Sequence, residues 1–346
     1  MSPRHPSEAG KGTAGGRPIS AGRQKFAGAG PPVTLSPQTG NPTKQSEIAG
    51  RGRRIDVTML LSVRRRSAAM YFQVSHVTTY RYSRPVRLGP HWLRLRPRCD
   101  GGTELLRHEL DIEPMPAGRS DVLDADGNLA TRVWFLGETE KFTVRSRFEA
   151  RTRLIDPYDY LAEAMPWGAL YAPALARRLA PWIGAAAAPR GVLELAAQVR
   201  AGAADGLEFV HRLNADLHRR IDREIRDSGR AHRPEETLRR GRGACRDLAV
   251  LFAAVCRSQG IASRFASGYQ QGRADTSTRY MHAWPEVYLP GGGWRGFDPT
   301  HGLAVADRHV AVAAAADPED AAPIEGSYQG DSPSSLRAEV RIHVED

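Results

Sequence analysis

The chain has 346 residues, 41% of them hydrophobic, which is enough for one large domain or two of ordinary size. Its formal net charge of +10 is unevenly placed, because residues 1–69 carry 12 Lys/Arg against 3 Asp/Glu while the rest of the chain carries 37 against 36. The balance beyond the tail argues against a nucleic-acid-binding body, and the longest apolar run of the tail, Val57 to Val63, is too short to cross a membrane.

Residues 1–69 hold seven prolines, ten glycines and one aromatic residue, Phe26, a composition that predicts a disordered basic tail. Met70 opens a strand-like run, so the tail could instead be an over-long reading frame; a basic arm for nucleic acid or lipid is the competing reading. Arg64, Arg65 and Arg66 follow the apolar run rather than precede it, unlike a secretory signal, and a cytoplasmic protein is expected.

From residue 70 to about 155 the pattern is one of short strands and turns. Tyr71–Tyr82 is rich in aromatic and β-branched residues, and Trp92–Arg98 alternates. Leu106, His108, Leu110 and Ile112 fall on one face, Asp126-Gly127-Asn128 makes a turn, and Phe142, Val144 and Phe148 share a side. This predicts a small antiparallel β-domain. A Pro-, Trp- and Ala-rich stretch, Asp156–Arg190, defines no clear element. The period then lengthens: Leu207, Val210, Leu213, Leu217 and Ile221 mark an amphipathic helix. His211 and His218 lie on it without a third ligand at metal spacing, so a solvated pair is expected. Leu248, Leu251, Phe252 and Val255 mark a second helix ending at Gly260. A strand (Ile261–Tyr269), a hairpin through His282–Thr300 and a final strand alternating Leu336, Ala338, Val340 and Ile342 complete an α+β core over residues 156–346.

Three cysteines, Cys99, Cys245 and Cys256, form no CxxC, which speaks against a disulfide framework and a zinc knuckle. Cys256, and by the same reasoning Cys99, reads as a small buried hydrophobe. Cys245 differs because it opens a helix, where unpaired N–H groups and a partial positive charge stabilise a thiolate. Gly241 and Gly243 before it are expected to give a substrate room near the sulfur.

A nucleophilic thiol needs a base and the base needs an orienting group. His282 begins one hairpin strand and Asp298 ends the next. A three-residue loop at Pro290-Gly291-Gly292 pairs Leu289 with Gly293 and places Asp298 diagonal to His282 on one face, roughly 7 to 8 Å apart and within side-chain reach. His301 and His309 are not expected to be the base. Asp247 is expected to favour the helix N-terminus rather than to act in chemistry.

The blocks Gly243/Cys245/Asp247, His282/Ala283/Trp284 and Trp294/Phe297/Asp298/Pro299/Thr300, in this order and spacing, resemble the bacterial branch of the transglutaminase-like superfamily, relatives of the papain-like cysteine proteases. The resemblance covers about residues 190–330, and the preceding strands look like the β-domain often fused ahead of that core. It implies Cys245 as nucleophile, His282 as base and Asp298 as the group that fixes the imidazole, with Trp284 and Trp294 lining or buttressing the site. It implies a peptide or protein substrate and no metal or organic cofactor; the calcium used by some animal relatives has no recognisable loop here.

A thiol pKa lowered from about 8.5 to about 6 would raise the thiolate fraction at pH 7 roughly thirty-fold, but intrinsic nucleophilicity would fall roughly ten-fold or more. Alignment and oxyanion donors must therefore supply most of any acceleration. The Cys245 N–H is one such donor; a second is not identified. Hydrolysis of an amide is the leading reading, ahead of transfer to an amine, and a catalytically silent peptide-binding domain is the alternative.

Overall fold

The computed structural model describes residues 69–184, 188–226, 229–272 and 280–345. The basic tail, and its reading as disordered, lie outside the described residues.

The N-terminal strands form two facing sheets. The first is built on two long strands, β1 (Met70–Leu88) and β6 (Thr139–Thr152), with β3 (Thr103–Glu113) along the outer side of β6. The second joins β2 (His91–Leu93), β5 (Leu129–Trp134) and β4 (Gly118–Leu123) in that order. Alternation does the work: Tyr82, Val86, Phe142 and Val144 of one sheet meet Leu93, Leu95 and Val133 of the other in a closed apolar layer. Leu106 departs from the expected face. A bulge between Leu105 and Arg107 in the β3–β6 pairing shifts the register, leaving Leu106 exposed and turning Leu105 inward.

The stretch after residue 155 that the sequence left unplaced contains α1 (Pro173–Ile183). Three further helices follow: α2 (Arg190–Ala201), α3 (Gly206–Arg220) and α4 (Pro234–Arg240). Helix α3 starts where the Asp205 side chain accepts from Glu208 N at 2.8 Å, and its stripe of Val210, Leu213 and Leu217 is buried. Helix α4 has Pro234 in its first turn and stops at Gly241, whose φ of 62° is the left-handed cap that glycine adopts freely.

Helix α5 (Cys245–Ser258) is the centre of the second half. Leu248, Leu251, Phe252 and Val255 pack against α2 and α3 on one side and against Val287, Leu289 and Phe297 on the other. The last three come from β8 (His282–Leu289) and β9 (Gly293–Asp298), which join β7 (Ser263–Gln270) and β10 (His309–Ala315) in an antiparallel sheet of order β10-β7-β8-β9. Leu289 pairs with Gly293 and Glu286 with Gly296, the register the hairpin spacing predicts.

The final strand, β11 (Ser334–Glu345), was expected with this core. It pairs instead with β1, in continuous register from Tyr71↔Glu345 to Tyr82↔Ser334. Its inward residue Val340, with Phe72, Val74 and Phe148, packs on Tyr269, Val310 and Val312 of β7 and β10. The junction is also polar. Buried Asn128 donates to Ala314 O at 3.0 Å and accepts from Ala314 N at 2.8 Å, replacing the bonds a neighbouring strand would make.

Candidate active site

Cys245 is the first residue of α5. Its cap, Ala244, has no side chain to accept from the helix start, but Asp247 reaches back to it: Oδ2 takes the Ala244 N–H at 2.8 Å. The fully buried Asp247 carboxylate also accepts two bonds from Arg226, at 2.7 and 2.8 Å, and one from His232 N at 2.7 Å. Burial would raise its pKa, but these bonds hold it below the usual carboxylate range. Asp247 thus fixes the turn that carries the cysteine. Gly243 serves the same carboxylate rather than a substrate: a Cβ there would meet Asp247 Cβ at 3.0 Å and Oδ2 at 3.3 Å. Gly241 has open space around it and acts as the stop of α4.

His282 starts β8 opposite Gly268 of β7. The glycine is required there, since a Cβ would lie 2.1 Å from Val310 O and 2.8 Å from the Trp284 ring. The His282 side chain and the Ala283 N–H stand close enough to the Cys245 sulfur to favour its thiolate. His282 Nε2 lies 2.8 Å from Asp298 Oδ2, which leaves Nδ1 as the nitrogen for the thiol. Asp298, at the end of β9 and fully buried, receives Thr300 N–H on Oδ1 at 3.0 Å.

The three groups tune one another. Burial would raise the Cys245 pKa, but the hydrogen bond and charge of His282, the Ala283 N–H and Arg246 outweigh it and hold the thiol below its ordinary value. Burial opposes charge on His282 too, yet Asp298 and Cys245 raise its pKa to about 10. The carboxylate of Asp298 is held far down in spite of its burial, first by His282 and then by His301 and His309. A thiolate facing an imidazolium is the state this arrangement favours.

Two histidines that the sequence reading set aside meet the same carboxylate: His301 Nδ1 and His309 Nε2 lie 2.8 and 3.1 Å from Asp298 Oδ2. His301 was legible, three residues beyond Asp298 in a tight turn. His309 was not, because it arrives on β10 from across the sheet. His211 is half-buried rather than solvated, whereas His218 is exposed as expected. His211 packs edge-on against Phe297, and His218 Nδ1 sits 3.2 Å from Pro299 O, supporting the turn after Asp298. Trp284 is buried beside His282 and His309, whereas Trp294 packs on Trp182, Tyr288 and Arg264, away from the thiol. Cys256 is buried, but Cys99 is exposed rather than in the core.

Cys245 and His282 open into a cleft of about 350 Å³. One wall is the β1–β11 ribbon, whose cross-strand pairs His76/Val340, Thr78/Ala338 and Tyr80/Leu336 face it. Ile225 and Tyr280 stand exposed at its mouth with Leu336. The C-terminal strand is therefore part of the site.

His282, Asp298 and His309 are close enough to share an ion, as are Glu224, His232 and Asp247. In the second group the Arg226 guanidinium already occupies both Asp247 oxygens. In the first, Oδ2 itself is the hub on which the nitrogens converge, a geometry of one acceptor and several donors.

A thiol at the first turn of a buried helix, facing an imidazole on an adjoining antiparallel hairpin, is the architecture of papain-like folds. The family comparison is more specific: residues 72–151 match the bacterial transglutaminase-like N-terminal region and residues 193–299 the transglutaminase-like superfamily. The chain belongs to the bacterial transglutaminase-like proteins. An uncharacterized Mycobacterium leprae protein is 34% identical over 112 residues, 31% of this chain, which span 39% of its own length. An uncharacterized Mycobacterium bovis protein is 26% identical over 288 residues, covering 77% of this chain and 90% of its own. Among solved structures, a presumed cysteine protease from Cytophaga hutchinsonii has the same fold, with a TM-score of 0.64 at 20% identity over 81% of this chain and 92% of its own.

Proposed function

We propose that this protein is a cysteine-nucleophile enzyme that cleaves amide bonds of peptides or proteins through a thioester on Cys245, with water rather than an amine as the acceptor. The observation that carries the reading is the convergence of Cys245, His282 and Asp298 at one cleft. The Cys245 thiolate attacks the amide carbon, and the oxyanion forms near the Cys245 N–H at the helix start. His282 gives its proton to the leaving amine as the C–N bond breaks, leaving the thioester. The neutral imidazole then takes a proton from water, whose oxygen attacks the thioester and releases the acid and the thiolate. Asp298 stays ionised and holds the ring. The cleft's opening to solvent and the name of the Cytophaga protein support hydrolysis. No described helix is long and apolar enough to cross a membrane. The free, exposed Cys99 suits a reducing compartment such as the cytoplasm.

Alkylation of the intact protein with iodoacetamide across pH tests this. Cys245 should react well below pH 7, and His282→Ala should return it to the behaviour of an ordinary thiol near pH 8.5, with Cys245→Ala as the blank. Ordinary titration in the wild type would favour a silent binding domain. Glutamine-containing peptides with and without a primary amine then distinguish hydrolysis from transfer by product mass.

A further inference from the structure

Asp298 Oδ2 faces three imidazoles. Because a carboxylate oxygen only accepts, each nitrogen at hydrogen-bonding distance must donate: His282 through Nε2–H, His301 through Nδ1–H and His309 through Nε2–H. For His309 a second observation fixes the same proton. Its Nδ1 is buried and has no hydrogen-bond partner, and its side chain is 1% exposed. A bare lone pair there costs less than an orphaned N–H, so the Nδ1–H tautomer and the imidazolium are both disfavoured. Burial also holds the His309 pKa below its ordinary value, although Asp298 pulls it upward.

We infer that His309, assisted by His301, is a positioning residue that donates a neutral N–H to Asp298 and keeps this carboxylate ionised and aimed at His282 when His282 itself is uncharged. The inference rests on the reading of Cys245 and His282 as nucleophile and base. In the proposed cycle His282 loses its charge once it has protonated the leaving amine. Among the described residues, Asp298 then keeps as donors Thr300 N–H, His301, His309 and the neutral imidazole. The titratable groups facing it come from three directions: His282 from β8, His301 from the turn after β9, and His309 from β10. From β7 comes the uncharged amide of Gln270, 3.3 Å from His301 Nδ1. Cys245 on α5 reaches the cluster through His282. His309 is the only one of these imidazoles that is nearly sealed from solvent and does not face the thiol.

The test uses the pH dependence of Cys245 alkylation. With the His309 donor removed in His309→Leu, Asp298 should protonate at higher pH and the imidazolium–thiolate pair should fail earlier on acidification. The acid limb should move up by about one pH unit, roughly ten-fold in rate at a fixed pH on that limb. His309→Gln, which keeps an N–H donor, should restore most of the shift, and His301→Phe should move the limb in the same direction. An unmoved limb in folded His309→Leu, or a shift that His309→Gln fails to reduce, would overturn the inference. Should His309→Leu not fold, 15N spectra of histidine-labelled wild type decide: His309 must show a protonated Nε2 and a bare Nδ1 between pH 6 and 8, and an Nδ1–H or imidazolium signal there overturns it. If wild-type Cys245 titrates as an ordinary thiol, the enzymatic reading fails, whereas the His309 tautomer can still be read in the spectra.

Discussion

Asp247 shows how much of the candidate nucleophile's environment is built by residues outside the proposed triad. Four hydrogen bonds end on its carboxylate, two of them from Arg226, and truncation would take this acceptor from the Ala244 and His232 N–H groups and leave the guanidinium with Glu224 and the Arg230 carbonyl. Asp247→Ala should cost about 3 kcal/mol in a urea melt; a loss below about 1 kcal/mol would show that water replaces the carboxylate. The sequence assigned Asp247 to the helix terminus because an acidic residue in a first turn is favourable there. Its partner Arg226 lies in a segment without periodicity, so the ion pair was not legible.

The β7–β8 pair makes the same point for elements. Gly268 lets β10 lie close against β7 where His282 and His309 converge. Gly268→Ala should destabilise the fold by about 2–3 kcal/mol, since the clash is with backbone rather than a flexible side chain; an unchanged denaturation midpoint would mean that the sheet relaxes freely. On the opposite wall, Leu336 of β11 is 49% exposed. Leu336→Asp should therefore alter stability by less than about 0.5 kcal/mol. It should nonetheless raise KM for a peptide carrying apolar side chains while iodoacetamide labelling stays constant, and equal KM values would remove the ribbon from substrate binding. The β8–β9 hairpin was readable because a Pro-Gly-Gly loop and strict alternation fix register locally. The partner of β11 was not: an alternating strand shows which face is apolar but not which distant edge it joins, and β1 lies at the far end of the chain. Leu106 failed for a related reason, as a bulge resets alternation without a sequence marker.

Across the whole molecule, the junction between the N-terminal sheet and the core carries a buried titratable group. His76 of β1 is 3% exposed, with its Nδ1 2.8 Å from Tyr269 OH and its Nε2 3.0 Å from Thr78 Oγ1. Burial lowers its pKa from 6.5 to about 4. The unfolded chain therefore binds a proton that the folded one refuses in this window, so stability should decline as pH falls from about 6.5 to about 4, by about 3 kcal/mol in all. Urea melts at pH 7, 5.5 and 4.5 should show this loss, and His76→Gln should flatten it. Equal slopes in the two proteins would mean that His108, also lowered to about 4, or the carboxylates dominate.

The pairing of β1 with β11 sets an order of events during synthesis. A nascent chain emerging from the ribosome carries its thiol, imidazole and carboxylate before residues 334–345 exist to finish the ribbon that walls them in. On the proposed reading, cutting by Cys245 would wait for β11 to arrive, and residues 156–333 alone would hold the thiol, imidazole and carboxylate without the ribbon that walls their cleft.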